Sequence, residues 1–233
     1  MPLPTESLAG KVILLTGANR GIGLAAAREL QKRGAAVVAG VRNLGRMPAM
    51  SGVEVCELDT SDANSCLAFI RYAEEAHGHI DGLINNAAIL LDRDIPAAAL
   101  SEDALRDVLE VNLIGPFRLC QLAIPGMVKR GYGRIVNVSS GLGSIRDMGS
   151  GYVSYRLTKL ALNGLTRVLA AELSGHRNIK VNSLSPGWTR TDMGGAGASR
   201  DPEDPAREIA DLISISEDGP SGGFFYQGEP AAW

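Results

Sequence analysis

Thr16-Gly17-Ala18-Asn19-Arg20-Gly21-Ile22-Gly23 follows a mostly apolar run, Lys11–Thr16, and opens an amphipathic stretch, Ile22–Arg33. Strand, glycine turn and helix in that order bring backbone N–H groups and a helix N-terminus to bear on an anion. The glycines let a pyrophosphate approach the chain closely. Their spacing is Gly-x3-Gly-x-Gly, not the Gly-x-Gly-x2-Gly of the better-known dinucleotide fingerprint. Gly17, Asn19, Arg20, Gly21, Ile22 and Gly23 are the first candidate cofactor contacts. Read alone, the stretch has an alternative: a turn that only shapes a loop.

The same alternation continues along the chain. Further strands are predicted over Ala36–Val41, Val53–Glu57, Gly82–Asn85, Arg134–Ser139, Lys180–Ser185 and Gly223–Tyr226. Several are nearly all apolar, as strands covered on both faces of a parallel sheet must be. Helices are predicted over Asp62–His77, Glu102–Lys129, Tyr155–Ser174 and Asp204–Ile213, with Ser61 and Ser101 as N-caps. Gly34, Gly78 and Gly175 stand where helices should stop. Right-handed βαβ units in a doubly wound, mostly parallel seven-stranded α/β sheet of the Rossmann type are expected. At 233 residues without repeat or linker, one domain spans the whole chain, 1–233. The stretch around 193–204 reads as a mobile substrate loop.

Composition excludes other classes. With 45% hydrophobic and 21% charged residues, the chain is neither disordered nor fibrous. A net charge of -3 without a basic cluster argues against nucleic acid as a partner. No apolar run approaches about 18 residues, so no membrane span is expected. Met-Pro-Leu-Pro-Thr-Glu at the start lacks a secretory pattern, and a cytoplasmic protein is expected. Cys56, Cys66 and Cys120 form no CxxC pair and the three histidines join no carboxylate cluster, so no metal site is expected.

Cofactor choice is legible where the second strand ends. An acid there would hold the ribose hydroxyls of NAD. This chain instead has Arg42, and Arg42 with Arg20 could clamp a 2′-phosphate bidentately, which favours NADP(H). Two solvated arginines are the alternative. Asp59 after the third strand could accept from an adenine amino group or help cap the next helix. Asn86 and Ala87, at the end of the fourth strand, lie where backbone passes close to a cofactor. Pro186 and Gly187, after the sixth strand, could expose backbone groups to a nicotinamide carboxamide, with hydroxyls from Thr189 and Thr191 nearby.

Tyr155-Arg156-Leu157-Thr158-Lys159 sets a phenol and an ammonium on one helix face. A nearby cation favours the phenolate, so such a tyrosine can exchange a proton near neutral pH. Ser140, with Ser139 as neighbour and alternative, ends the fifth strand where open α/β sheets bind ligands. Its hydroxyl could stabilise a carbonyl oxygen as charge develops there. Pro116 deprives the Asn112 carbonyl of its helical N–H partner. That carbonyl could hold a relay water, or the helix could merely kink.

Taken together, Thr16-Gly17-x3-Gly21-x-Gly23, Asn85-Asn86-Ala87, Asn112, Ser140, Tyr155-x3-Lys159 and Pro186-Gly187 resemble the short-chain dehydrogenase/reductase family in its compact single-domain form. The stretch from Pro186 to Trp233 is similar to its carbonyl reductases. The resemblance implies a tetrad. Tyr155 would be the general acid/base, Lys159 would lower its pKa and hold the nicotinamide ribose, Ser140 would orient the carbonyl, and Asn112 would hold the relay water. It implies NADP(H)-dependent hydride transfer to a ketone or aldehyde, or the reverse oxidation of an alcohol or hydroxysteroid; a silent dinucleotide sensor is a third reading. The monomeric carbonyl reductases carry a long insertion before the tyrosine that this chain lacks, so a homodimer or homotetramer is expected. Most members have a gap two residues shorter between serine and tyrosine. Ser139 to Tyr152 would fit it, but Tyr152 is followed four residues later by Arg156, not lysine. Ala88 stands where the family usually has glycine.

Overall fold

In the computed structural model, which describes residues 3–233, strand β1 (Val12–Thr16) is buried on both faces. Ile13 and Leu15 enter one apolar layer, Val12 and Leu14 the other, as the two-residue period of a strand requires. Strands β2 (Ala36–Val41), β3 (Val53–Glu57), β4 (Gly82–Asn85), β5 (Gly133–Val138), β6 (Ile179–Ser185) and β7 (Phe224–Tyr226) join it in parallel. The sheet order is β3-β2-β1-β4-β5-β6-β7, followed by β8 (Glu229–Pro230). The direction of winding reverses between β1 and β4, which opens a crevice at the carboxyl ends of those strands.

All seven expected strands form. The eighth, of two residues, runs antiparallel to β7. It forms because the chain end folds back: the Ala231 amide donates to the Phe224 carbonyl (2.7 Å) and Trp233 stacks on Phe224 at 5.4 Å.

Helices α1 (Gly21–Lys32) and α6 (Glu203–Ile213) cover one face of the sheet. Helices α2 (Ala63–His77), α4 (Gly115–Arg130) and α5 (Val153–Glu172) cover the other. Between α2 and α4 lies α3 (Glu102–Leu109), capped as expected by the Ser101 hydroxyl, which accepts from the Ala104 amide. Capping of α2 differs from expectation. Asp62, not Ser61, is the N-cap, accepting from the Asn64 amide at 2.8 Å, because Ser61 is already turned back onto Asp59. Gly78 closes α2 in the left-handed region at φ 78°. Gly175 lies beyond the end of α5 and does not stop it. Helix α5 begins at Val153, so Tyr155 sits in its first turn.

The single helix expected over 102–129 is interrupted. Residues Glu110–Ile114 form a π turn, and the Gly115 amide reaches back five residues to the Glu110 carbonyl. Pro116 supplies the cause, since it has no N–H to continue the α pattern. By length and composition Glu102–Arg130 would be apolar enough to cross a membrane. Its apolar residues Val108, Leu119, Ala123 and Met127 are instead buried within the fold.

The opposite rim of the sheet, at the amino ends of the strands, is organised by Arg134, only 1% exposed. Its guanidinium donates to the carbonyls of Ile215 (2.6 Å) and Asn178 (2.6 Å) and to the Asn178 side chain (2.7 Å). A further contact reaches Glu6 at 3.3 Å. The amino-terminal segment and the turns preceding β6 and following α6 are thereby joined to β5.

Candidate active site

The carboxyl ends of the strands surround a cleft of about 1020 Å³. Gly17 enters it at φ +68°, and a Cβ there would lie 2.9 Å from the Ala87 Cα. A Cβ on Gly23 would sit 2.1 Å from the Gly17 carbonyl oxygen. Only glycine permits these approaches. The first turn of α1 carries no side-chain cap, since Arg20 at the N-cap makes no such bond. Gly21, Ile22 and Gly23 line the cleft there, so their amides are available to an anion. That arrangement fits the pyrophosphate of a dinucleotide.

Asn19, Arg20, Arg42, Asp59, Asn86, Ala87, Pro186, Gly187, Thr189 and Thr191 all line the same cleft. Several have partners that the sequence did not suggest. The Asn86 amide group donates to the carbonyls of Thr16 (2.9 Å) and Gly17 (3.1 Å), so it shapes the glycine turn. Asp59 accepts from the Ser61 hydroxyl (2.6 Å) and amide (2.9 Å). Those bonds hold its carboxyl below the usual range, with the positive charge of Arg42 adding to them. Arg20 forms an exposed ion pair with Asp192 at 2.5 Å, across the mouth of the cleft. The Thr189 hydroxyl donates to the Pro186 carbonyl at 3.0 Å, and Thr191 accepts from the Gly194 amide at 3.0 Å. Both threonines thus brace their own turn. In and beside the expected substrate loop, Trp188 donates to the Gly194 carbonyl, Arg190 to Ala198, and Arg200 to Pro186.

Tyr155 and Lys159 lie one turn apart on α5, both buried and both lining the cleft. Burial pushes the Tyr155 phenol up to about 12, with the Ser140 hydroxyl acting in the opposite direction. The phenol is therefore protonated at neutral pH. The expected lowering of the phenol by Lys159 is not the dominant effect in this geometry. The Lys159 amine is 5.5 Å from the ring centroid and donates to the Val138 carbonyl at 2.7 Å. Burial brings the amine itself down to about 7.

The two adjacent serines are distinguished by direction. Ser139 is buried and donates to the Lys159 carbonyl at 3.2 Å, which ties β5 to α5. Ser140 lines the cleft and accepts from the Leu142 amide at 3.1 Å, leaving its own proton free to donate. Asn112 lies fully buried in the π turn. Its side chain accepts from the Ile89 amide (2.8 Å) and donates to the Ile89 carbonyl (2.9 Å) and the Thr158 hydroxyl (3.3 Å). It thereby joins the loop after β4 to helix α5, which carries Tyr155 and Lys159.

Sequence reasoning missed three contributors. The Thr16 hydroxyl accepts from the amides of Asn86 (3.0 Å) and Ala87 (2.9 Å), clamping the crevice between β1 and β4. The Ser185 hydroxyl accepts from the Gly141 amide at 2.9 Å. Arg156 donates to carbonyls of the loop before α5. Each acts on backbone distant in sequence or loosely patterned, and only a strand-end hydroxyl signalled the first two.

A dinucleotide crevice that ends at a buried phenol, an amine and a serine hydroxyl defines a nicotinamide-dependent oxidoreductase. Comparison with known proteins agrees: the short chain dehydrogenase model matches residues 11–201, and the chain belongs to that family. It is 37% identical over 195 residues to the 3-oxoacyl-[acyl-carrier-protein] reductase FabG of Pseudomonas aeruginosa, covering 80% of this chain and 77% of that one. Among solved structures, 3-ketoacyl-(acyl-carrier-protein) reductase from Brucella melitensis complexed with NADH aligns with a TM-score of 0.87 at 27% identity, covering 94% and 97% of the two chains. NADPH-bound carbonyl reductase from chicken fatty liver aligns at 0.84 and 28%, covering 97% and 100%.

Proposed function

We propose that this chain is an NADP(H)-dependent carbonyl reductase that reduces a ketone or aldehyde to an alcohol. The observation that carries the reading is the buried pair of Tyr155 and Lys159 in the cleft, with the Ser140 hydroxyl beside the phenol. A reduced nicotinamide bound in the cleft would supply the hydride. Ser140 donates to the carbonyl oxygen and orients it. Tyr155, protonated at neutral pH, delivers the proton as negative charge grows on that oxygen. Lys159 would hold the nicotinamide ribose, and in its protonated form it would ease the loss of the phenolic proton. Asn112, through its backbone carbonyl, serves the water that returns a proton from solvent. The lid over substrate is the segment around 193–204. An acid–base pair has no use in a dinucleotide sensor, and the same groups serve alcohol oxidation in reverse.

Arg42 carries the preference for the phosphorylated cofactor. It stands exposed at the cleft rim near Asp59, with Arg20 on the facing turn. In Arg42→Ala, the NADPH dissociation constant should rise about tenfold or more, while that of NADH stays within about twofold. Fluorescence titration of both cofactors checks this, and equal weakening would remove the 2′-phosphate assignment. A panel of ketones and aldehydes run with each cofactor tests the activity itself; absence of turnover throughout would overturn the reading.

The exposed Phe117 on α4 and Leu157 and Val168 on α5 support assembly into a homodimer or homotetramer through these helices. Equilibrium sedimentation tests it, and a monomer mass at working concentration would refute it.

A further inference from the structure

One guanidinium gathers much of the loop between Ser140 and α5. Arg156 donates through Nε to the Gly151 carbonyl at 3.0 Å and through Nη2 to Ser150 at 3.4 Å. Its Nη1 donates to Leu142 at 3.3 Å and to Asp147 at 3.5 Å. Four carbonyls spread over ten residues of loop thus converge on a single side chain from the first turn of α5. A planar fork with donors on three nitrogens can do this; an ammonium cannot reach the same set.

At the end of that loop the backbone is forced. Gly151 has φ +74° and Tyr152 follows at φ 53°, ψ 43°. A left-handed conformation is costly for a bulky residue and persists only where its surroundings impose it. The Arg156 side chain on Gly151 and the Arg156 amide on the Tyr152 carbonyl (2.8 Å) impose it here. The result is that Tyr152 lines the cleft that also contains Tyr155. Among the described residues the Tyr152 hydroxyl has no hydrogen-bond partner, and the ring is half-buried. It is not a second acid, because the cation four residues on is spent on loop carbonyls.

Three other rings line the same cleft: Trp188, Tyr226 and Phe224, the last stacked on Trp233. Trp188 is fixed through its indole N–H on the Gly194 carbonyl at 2.8 Å, and Tyr226 has Arg200 over its face at 5.7 Å. Aromatic faces and edges favour flat π partners over flexible alkyl chains.

We propose that Tyr152, presented by the turn that Arg156 clamps, is a substrate-positioning phenol that selects carbonyl compounds bearing an aromatic or similarly flat group. Arg156 is a positioning residue that acts through it. The inference rests on the carbonyl-reductase reading and assigns that site its substrate class.

The test compares wild type with Tyr152→Ala, Tyr152→Phe and Arg156→Lys, using acetophenone and an aliphatic ketone of equal carbon count. Steady-state kinetics with NADPH are paired with calorimetric binding of acetophenone to the NADP+ complex. Tyr152→Ala should raise KM for acetophenone about tenfold and leave KM for the aliphatic ketone and kcat for both within about twofold. Tyr152→Phe, which keeps the ring, should restore most of the loss. Arg156→Lys should reproduce the acetophenone shift with NADPH affinity unchanged, a split that general destabilisation would not produce. Equal changes for the two ketones, or none, would overturn the proposal. If wild type reduces no ketone, the reading above fails by itself. Acetophenone binding then still decides this one: dependence on Tyr152 upholds it and independence overturns it.

Discussion

Tyr155→Phe is expected to lower turnover by roughly a thousandfold while NADPH affinity stays within about twofold of wild type. Removing the hydroxyl deletes the buried phenolic proton donor that shares the cleft with Lys159 and Ser140. The ring remains, so packing in the first turn of α5 is preserved. Turnover is read with the best ketone of the panel and affinity by fluorescence titration. Tyr152→Phe serves as the control. Retained activity in the Tyr155 variant, with loss in the control, would show that the acid is the other phenol.

Lys159→Met should also cost roughly a hundredfold or more in turnover, and it should change how stability depends on pH. Burial depresses the amine to about 7 in the folded protein, against about 10.4 in an unfolded chain. Below pH 7 the folded state bears the full penalty of a buried ammonium. Between pH 7 and 10.4 the unfolded chain binds more protons, so stability rises with pH, by at most ~1.4 kcal/mol per unit from this group. The methionine variant lacks that slope, and contributions from other groups cancel in the difference. The gap in unfolding free energy, wild type minus variant, should therefore grow from pH 7 to pH 9 in urea titrations. A gap that stays flat would mean that the amine keeps its proton throughout.

Much of this architecture could be read from local pattern. The apolar run ending at Thr16, the glycines at 17, 21 and 23, and the four-residue step from Tyr155 to Lys159 are features of neighbouring residues, and the structure brings them to one cleft. What escaped depends on contacts across the fold. Asp62 rather than Ser61 caps α2 because Ser61 is claimed by Asp59, and two adjacent good caps look alike in sequence. Strand β8 has only two residues, too few to show a period. The π turn had its signal in Pro116, but the shift of the Gly115 amide to Glu110 is a choice among neighbouring carbonyls. The pairing of Arg20 with Asp192 spans most of the chain, and no spacing announces it. Lys159 meets the Val138 carbonyl for the same reason: strand and helix must first dock.

The buried guanidinium of Arg134 gives the far rim of the sheet a different sensitivity from the cleft. Truncating that side chain would leave the Ile215 carbonyl and the Asn178 side-chain oxygen without their guanidinium donor in a place with little water, and the Asn178 carbonyl with only the Gly133 amide. Lesions there act on how long each copy of the protein survives proteolysis, because they raise the share of opened chains. On the proposed function, lesions around Tyr155 would leave long-lived but inert copies. Inherited damage at the two ends of the sheet thus reaches the same loss of function by separate routes, scarcity in one case and silence in the other.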